Sequence, residues 1–390
     1  MKRSSQERAR VVLLACSDYD YTRVKGKIDA GIALLGGWPE LIKPGERVLI
    51  KPNLLAPEPP DRAVTTHPAV FKAVAEGLLQ AGTKPVFGDS PAVSSPEKAA
   101  TKAGLMTVAH ELGLTLADFK SGDNINFKGY FAERSYAIAR AIANSDAIIS
   151  LPKLKTHGLT QLTGAVKNQF GCVVGFNKGA FHAKLPRVED FARMLVDLNL
   201  YLRPRLYVMD GIVLMEGNGP RGGTPRRGGL LIMSTDPVAL DATMCRLAGV
   251  KPEKVPTVRF GAEAGLGVFQ EDQITLLGDS IKSLQLPGGI ELRSSRSLPI
   301  RSARWNNAVN PRPLITAETC INCGLCINSC PLRPTAVNWP GAAGEAAPIY
   351  DYNRCIRCYC CQELCPEGAI EIHTPWAGRA LKRISRGRLS

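Results

Sequence analysis

The chain has 390 residues, 45% hydrophobic and 22% charged, enough for a large core plus a smaller second unit. No run approaches the ~20 apolar residues of a membrane-spanning helix. Its 12 cysteines are too unevenly placed for a disulfide scaffold, since nine lie between Cys320 and Cys365. Such clustering in a large chain indicates metal and a reducing, cytoplasmic compartment. The net charge of +14 suits nucleic acid, a membrane surface or an anionic substrate, and where the charge sits decides among them.

Near the start, Leu13-Leu14-Ala15-Cys16 is similar to a lipoprotein cleavage box. The apolar run before Cys16 covers only 11–15, short of the ~7–15 residues of a secretory apolar region, with Glu7 just ahead. It reads as a first buried strand. Strands are expected at 10–16, 47–51, 85–88, 147–151, 206–210, 229–234 and 273–277. Helices are expected between them at 22–35, 68–81, 95–112, 136–143, 188–201 and 237–248. In the fifth of these, Phe191, Met194, Leu195 and Leu198 recur at helical spacing, and Pro204 ends it. This alternation predicts an α/β domain with a mostly parallel sheet over 1–290. Residues 291–310 read as a linker, 311–375 as a small α+β ferredoxin-like module, and 376–390 as a basic tail, disordered and solvated or, as the alternative, touching anionic lipid through Trp376, Leu381, Ile384 and Leu389.

The module carries one spacing twice. Cys320-x2-Cys323-x2-Cys326-x3-Cys330-Pro331 is followed by Cys355-x2-Cys358-x2-Cys361-x3-Cys365-Pro366. Three thiolates three residues apart in a tight loop face one cubane, and the fourth, next to proline, points to the other cluster. Two [4Fe–4S] clusters are therefore expected, one on Cys320, Cys323, Cys326 and Cys365, the other on Cys355, Cys358, Cys361 and Cys330. Paired CxxC motifs also bind zinc, but two copies of the full pattern favour iron–sulfur. Cys360 is a spare thiol that packs near a cluster.

From 147 to 188 there is no Asp or Glu, while Lys153, Lys155, Lys167, Lys178, Lys184, Arg187, His157 and His182 accompany five glycines. After a strand, this reads as a loop-lined anion site. A second glycine–arginine segment, 216–229, leaves the strand at 206–210 in the same way. Both sit where open α/β sheets place ligands. The alternative is a solvated basic face. Stacking aromatics are few and no nucleic-acid motif occurs, so nucleic acid is not expected.

These residues also carry a resemblance. Lys51-Pro52-Asn53, Thr66-His67-Pro68, Gly88-Asp89-Ser90-Pro91, Pro152-Lys153-Leu154-Lys155-Thr156-His157, Val166-Lys167-Asn168-Gln169-Phe170-Gly171, Lys178 with His182, Met215-Glu216-Gly217-Asn218-Gly219-Pro220 and Asp236-Pro237-Val238-Ala239-Leu240-Asp241 together resemble the DUF362 family, in order through about residues 47–250. The resemblance implies an α/β fold and a redox setting, often with a ferredoxin module in the same chain, and no particular reaction.

Residue by residue, Lys51, Asn53, Lys153, Lys155, Lys167 and Asn168 are the candidate anion site. Asn53 equally suits a turn. Asp89 suits an acid/base role, metal ligation or a helix cap. His67 suits a cap, and Asp236 and Asp241 suit capping the following helix. His157 and His182, among lysines, are expected neutral near pH 7, either relaying a proton beside the anion or packing as loop residues. The reading that results is an oxidoreductase, with an external electron donor or acceptor as partner, in which electrons from an outside donor pass through the clusters to an anionic substrate or cofactor. The alternative is a non-catalytic carrier or assembly factor docking a partner through the basic face. A flavin has no G-x-G-x-x-G fingerprint to support it.

Overall fold

In the computed structural model, residues 8–91, 94–174, 181, 184, 185, 187–292, 300 and 302–386 are described. Among them, ten strands form one mixed sheet. Its main path runs β12 (Ile274–Gly278), β1 (Ala9–Ala15), β11 (Thr224–Ser234), β10 (Leu206–Glu216), β7 (Ala147–Leu151), β2 (Arg47–Pro52), β3 (Lys84–Phe87), β4 (Thr115–Leu116). From β10 to β4 every pairing is parallel, and β11 runs antiparallel to both β10 and β1. β8 (Lys153–His157) pairs with β10 and forms a hairpin with β9 (Gln161–Thr163).

Both faces of the sheet are covered, so its central strands are apolar throughout rather than alternating with polar residues. In β1, Val11 and Leu13 face one core while Val12 and Leu14 face the other. One layer holds α1 (Tyr21–Leu34), α2 (Pro68–Gln80) and α4 (Leu105–Leu112), contributing Ile28, Phe71 and Val108. The other holds α5 (Val188–Leu202) and α6 (Pro237–Leu247), contributing Phe191 and Leu240. Asp236 caps α6, accepting from the N–H groups of Val238 and Ala239 at 2.9 Å each, and ties in Val268 N–H at 3.2 Å.

Four expectations are corrected. The segment 136–143 is not a helix. β6 (Glu133–Ala139) pairs with β5 (Gly122–Lys128), and only Arg140–Ala143 turns helically. Its Tyr-Ala-Ile-Ala run satisfies period two as well as 3.6 because alanine is neutral to both, and the hairpin turn is fixed by Asp197, which accepts from Phe131 and Ala132 N–H. The expected helix at 95–112 is broken into α3 (Pro96–Lys102) and α4 by Gly104, whose φ of 76° a helix interior does not allow. The first part of the basic stretch, 153–163, is a strand hairpin rather than an open loop, because β8 lies buried against β10. Half of the segment 216–229 is strand, since Glu216 pairs with Thr224 across the seven-residue connection 217–223.

The C-terminal elements build around the cysteines. β13 (Arg312–Ile315) pairs with β16 (Ile370–His373), and β14 (Val337–Asn338) with β15 (Ile349–Tyr350). The expected linker contains helix α7 (Ala303–Val309), and the expected disordered tail begins as helix α9 (Trp376–Arg386). Among the described residues no helix is long and apolar enough to cross a membrane. Removing the cap of α6 with Asp236→Ala should lower stability by about 1–2 kcal/mol in urea unfolding, and an unchanged midpoint would show that the cap does not hold α6.

Candidate functional site

The cysteines line two hollows. Cys320, Cys323, Cys326 and Cys365 stand around one, walled by Ile315, Pro348 and Ile370. Cys330, Cys355, Cys358 and Cys361 stand around another, walled by Pro313, Val337 and Tyr350. Each set thus joins three cysteines of one run to the fourth of the other. Ala336 N–H lies 3.4 Å from Cys330 Sγ and Tyr350 O–H 3.1 Å from Cys361 Sγ, the donors that sulfur ligands attract. Burial pushes the Cys326 and Cys355 thiols up to about 11. Among the described residues no three His, Cys, Asp or Glu side chains converge tightly enough for a single metal ion. The fit is to a bulky polynuclear group.

Helix α8 (Cys360–Leu364) joins this module to the sheet. Gln362 Nε2 lies 3.0 Å from Asn218 O, Asn218 Oδ1 and Gly219 O. Asn218 Nδ2 in turn donates to Ile370 O at 2.9 Å. Arg221 donates to Leu364 O at 2.8 Å and pairs with Glu58. A Cβ at Gly222 would lie 2.6 Å from Gly368 Cα, so glycine permits a backbone-to-backbone approach. The glycine–arginine segment expected to line an anion site is therefore the seat of the cysteine module. Arg226 and Arg227 are likewise engaged with Glu216 and Ser17.

At the C-terminal edge of the parallel strands, acids from distant segments enter the acid-free stretch. Lys51, fully buried at the end of β2, pairs with Asp89 at 2.9 Å. The two Asp89 oxygens also accept Leu54 and Ser90 N–H, which leaves the carboxylate structural. Lys153 is buried against Asp210 at 2.7 Å and Tyr19 O–H at 2.7 Å. Tyr19 stacks on His67 with ring centroids 3.5 Å apart, and His67 Nδ1 caps α2 through Ala69 N–H. His157 Nδ1 accepts from Leu159 and Thr160 N–H, so its proton sits on Nε2, which meets Glu363 Oε1 at 2.7 Å. Both nitrogens are spoken for, and His157 bridges sheet and module instead of facing a substrate.

Lys155 and Lys167 remain. Lys155 is buried and donates to neutral oxygens only, Asn53 Oδ1 at 2.7 Å and Val64 O at 2.6 Å. Asn53 Nδ2 donates to Asn168 Oδ1 at 3.0 Å, which fixes the acceptor toward the lysine. Burial, reinforced by Lys167 and Lys153, holds the Lys155 ammonium well below its ordinary value. Lys167 has no hydrogen-bond or ion-pair partner among the described residues. Burial lowers it too, against the pull of Glu363. His182 and Lys178 lie outside the described residues. Sequence reading missed Asp210, Glu363 and Gln362 as members of this site. An acid inside the apolar run of β10 was the signal for Asp210, because a buried carboxylate needs a cation.

Burial pushes the His67 imidazole down to about 4, Asp210 opposing this and Lys153 adding to it. Since the unfolded value is about 6.5, His67 stability is full above pH ~6.5 and is lost as pH falls to about 4, by about 3 kcal/mol. His67→Asn keeps a capping oxygen and should flatten this part of the stability–pH curve, and an unchanged acid slope would show that another group is responsible.

Two family models match the chain: "Domain of unknown function (DUF362)" over residues 48–246 and "4Fe-4S dicluster domain" over 319–369. A thylakoid-associated protein of Synechocystis sp. is 35% identical over 257 residues, 66% of this chain and 79% of that protein. Among solved structures, the lactate racemase apoprotein from Thermoanaerobacterium thermosaccharolyticum aligns with TM-score 0.39 and 11% identity, over 63% of this chain and 58% of that one. A structural-genomics protein from Thermotoga maritima aligns with TM-score 0.38 and 14% identity, over 57% of each chain. The chain thus spans less than two thirds of each of these two structures.

Proposed function

The chain belongs to the DUF362 family and carries an iron–sulfur module of the electron-transfer type, and we propose that it is an oxidoreductase reducing an anionic substrate or bound cofactor beside Lys155 and Lys167. The observation that carries this reading is the seating of the cysteine module, through α8, on the same sheet edge that buries Lys155 and half-buries Lys167. Two [4Fe–4S] clusters, held by Cys320, Cys323, Cys326 and Cys365 and by Cys355, Cys358, Cys361 and Cys330, supply one-electron transfer when bound.

The residues divide the remaining work. Cys323 is exposed and Ile321 beside it is 60% exposed, which gives an external redox partner access to the first hollow. Gln362, Asn218 and Arg221 hold the second unit in register with the sheet. Lys51 and Lys153 are neutralised by Asp89 and Asp210 and fix the strand edge. Lys167 offers an unmatched positive charge, and Lys155, with two N–H groups donated, presents its remaining valence to an anion or an acidic proton. Among the described residues neither lysine has an ion-pair partner, which favours a ligand carboxylate or phosphate. Docking of a partner protein through a basic face is disfavoured, because Lys153 is buried in an ion pair and Lys155 is buried against neutral oxygens. Keeping free thiolates available for iron requires a reducing compartment such as the cytoplasm.

Anaerobically reconstituted protein should show two [4Fe–4S] centres by EPR and iron analysis. Cys323→Ala should lose iron and Cys360→Ala should keep it; normal iron in Cys323→Ala would sink the ligand assignment. Lys155→Met and Lys167→Met should each weaken protection by inorganic phosphate or small carboxylates in thermal unfolding by roughly tenfold in apparent affinity. Equal protection in the wild type and both variants would remove the anion site.

A further inference from the structure

The module's last helix leaves apolar surface uncovered where most helices hide it. α9 starts with Arg379 N–H bonded to Pro375 O at 3.0 Å. It is fixed to the rest of the chain through Gly378, whose backbone lies against the Val309 carbonyl of α7 so closely that any side chain there would collide. Pro375 and Gly378 are buried, while Trp376, Ala380 and Leu381 point outward. Trp376 is 77% exposed and Leu381 46%. The helix is therefore docked, with Trp376 and Leu381 left in water. Trp305, on the α7 helix that receives α9, is also 64% exposed.

Charge identifies the occupant. Between residues 376 and 390 the sequence carries Arg379, Lys382, Arg383, Arg386 and Arg388 with no acid. An acid-free basic segment with an exposed tryptophan and leucine on a helix of 11 residues suits the boundary of an anionic bilayer. There an indole sits at headgroup level, and each basic residue near the surface adds about a fivefold gain in partitioning. A protein groove would take the apolar side chains but would need its own dense acidic rim. A nucleic acid would take the charge but not the leucine.

We propose that α9 is a membrane-surface docking element that lays the iron–sulfur module against anionic lipid through Trp376 and Leu381. The proposal does not depend on the reaction carried out beside Lys155.

The test uses the full chain with its clusters in place, sedimented with phosphatidylcholine vesicles with and without phosphatidylglycerol. The wild type should partition at least tenfold more onto the anionic vesicles at low salt and lose most of that advantage at high salt. Arg379→Glu and Leu381→Glu should each reduce binding at least about fivefold with iron content and circular dichroism unchanged. The blue shift of tryptophan emission on adding anionic vesicles should vanish in Trp376→Phe. Wild-type binding in Arg379→Glu and Leu381→Glu, equal binding to neutral vesicles, or tail-dependent retention of an acidic protein or nucleic acid with no vesicle binding would each overturn the proposal.

Discussion

An ammonium group taken out of water must find an acceptor or give up its proton, and the C-terminal edge of this sheet is arranged around that requirement. Lys51 and Lys153 meet it with carboxylates from other strands, Asp89 after β3 and Asp210 within β10. Each pair therefore also fastens one segment to another, and removing one partner would strand a buried charge at a cost of about 3–5 kcal/mol. Lys155 meets the requirement with an amide and a backbone carbonyl, which satisfy its N–H groups without cancelling its charge. That difference separates the lysines that build the edge from the ones left to act there.

Much of the sheet was legible because its strands are buried on both faces. Runs such as 147–151 and 206–209 are apolar but for Ser150 and are flanked by helical periods, so β7 and the start of β10 could be found within a residue. The cysteine spacing was legible for a different reason, since metal geometry constrains positions that are close in sequence. The charge balance of the site was not legible. An acid-free stretch of 147–188 suggests an open cationic surface only if its neighbours in space are also its neighbours in sequence. The matching acids lie at Asp89, Asp210 and Glu363, far away along the chain.

The same limit explains the glycines and the tail. In 216–229, glycines beside arginines suit a phosphate loop, yet Gly222 is small because another backbone, at Gly368, comes within contact of it. Composition records that a close approach happens and not what approaches. At 376–390, a run of basic residues reads as solvated, and the helix becomes visible only once Gly378 is seen to fit against Val309.

Helix α8 has one further consequence. It has only five residues, far too few to persist alone. It carries Cys361, proposed as an iron ligand, together with Gln362 and Glu363, which engage Asn218 and His157. Maturation of the metal centre and closure of the module onto the sheet thus draw on one small element and are thermodynamically linked. Under the proposed ligand assignment, iron loading and the grip on Asn218 and Gly219 strengthen one another. A conductor built in this way is connected to its destination only once it is able to conduct.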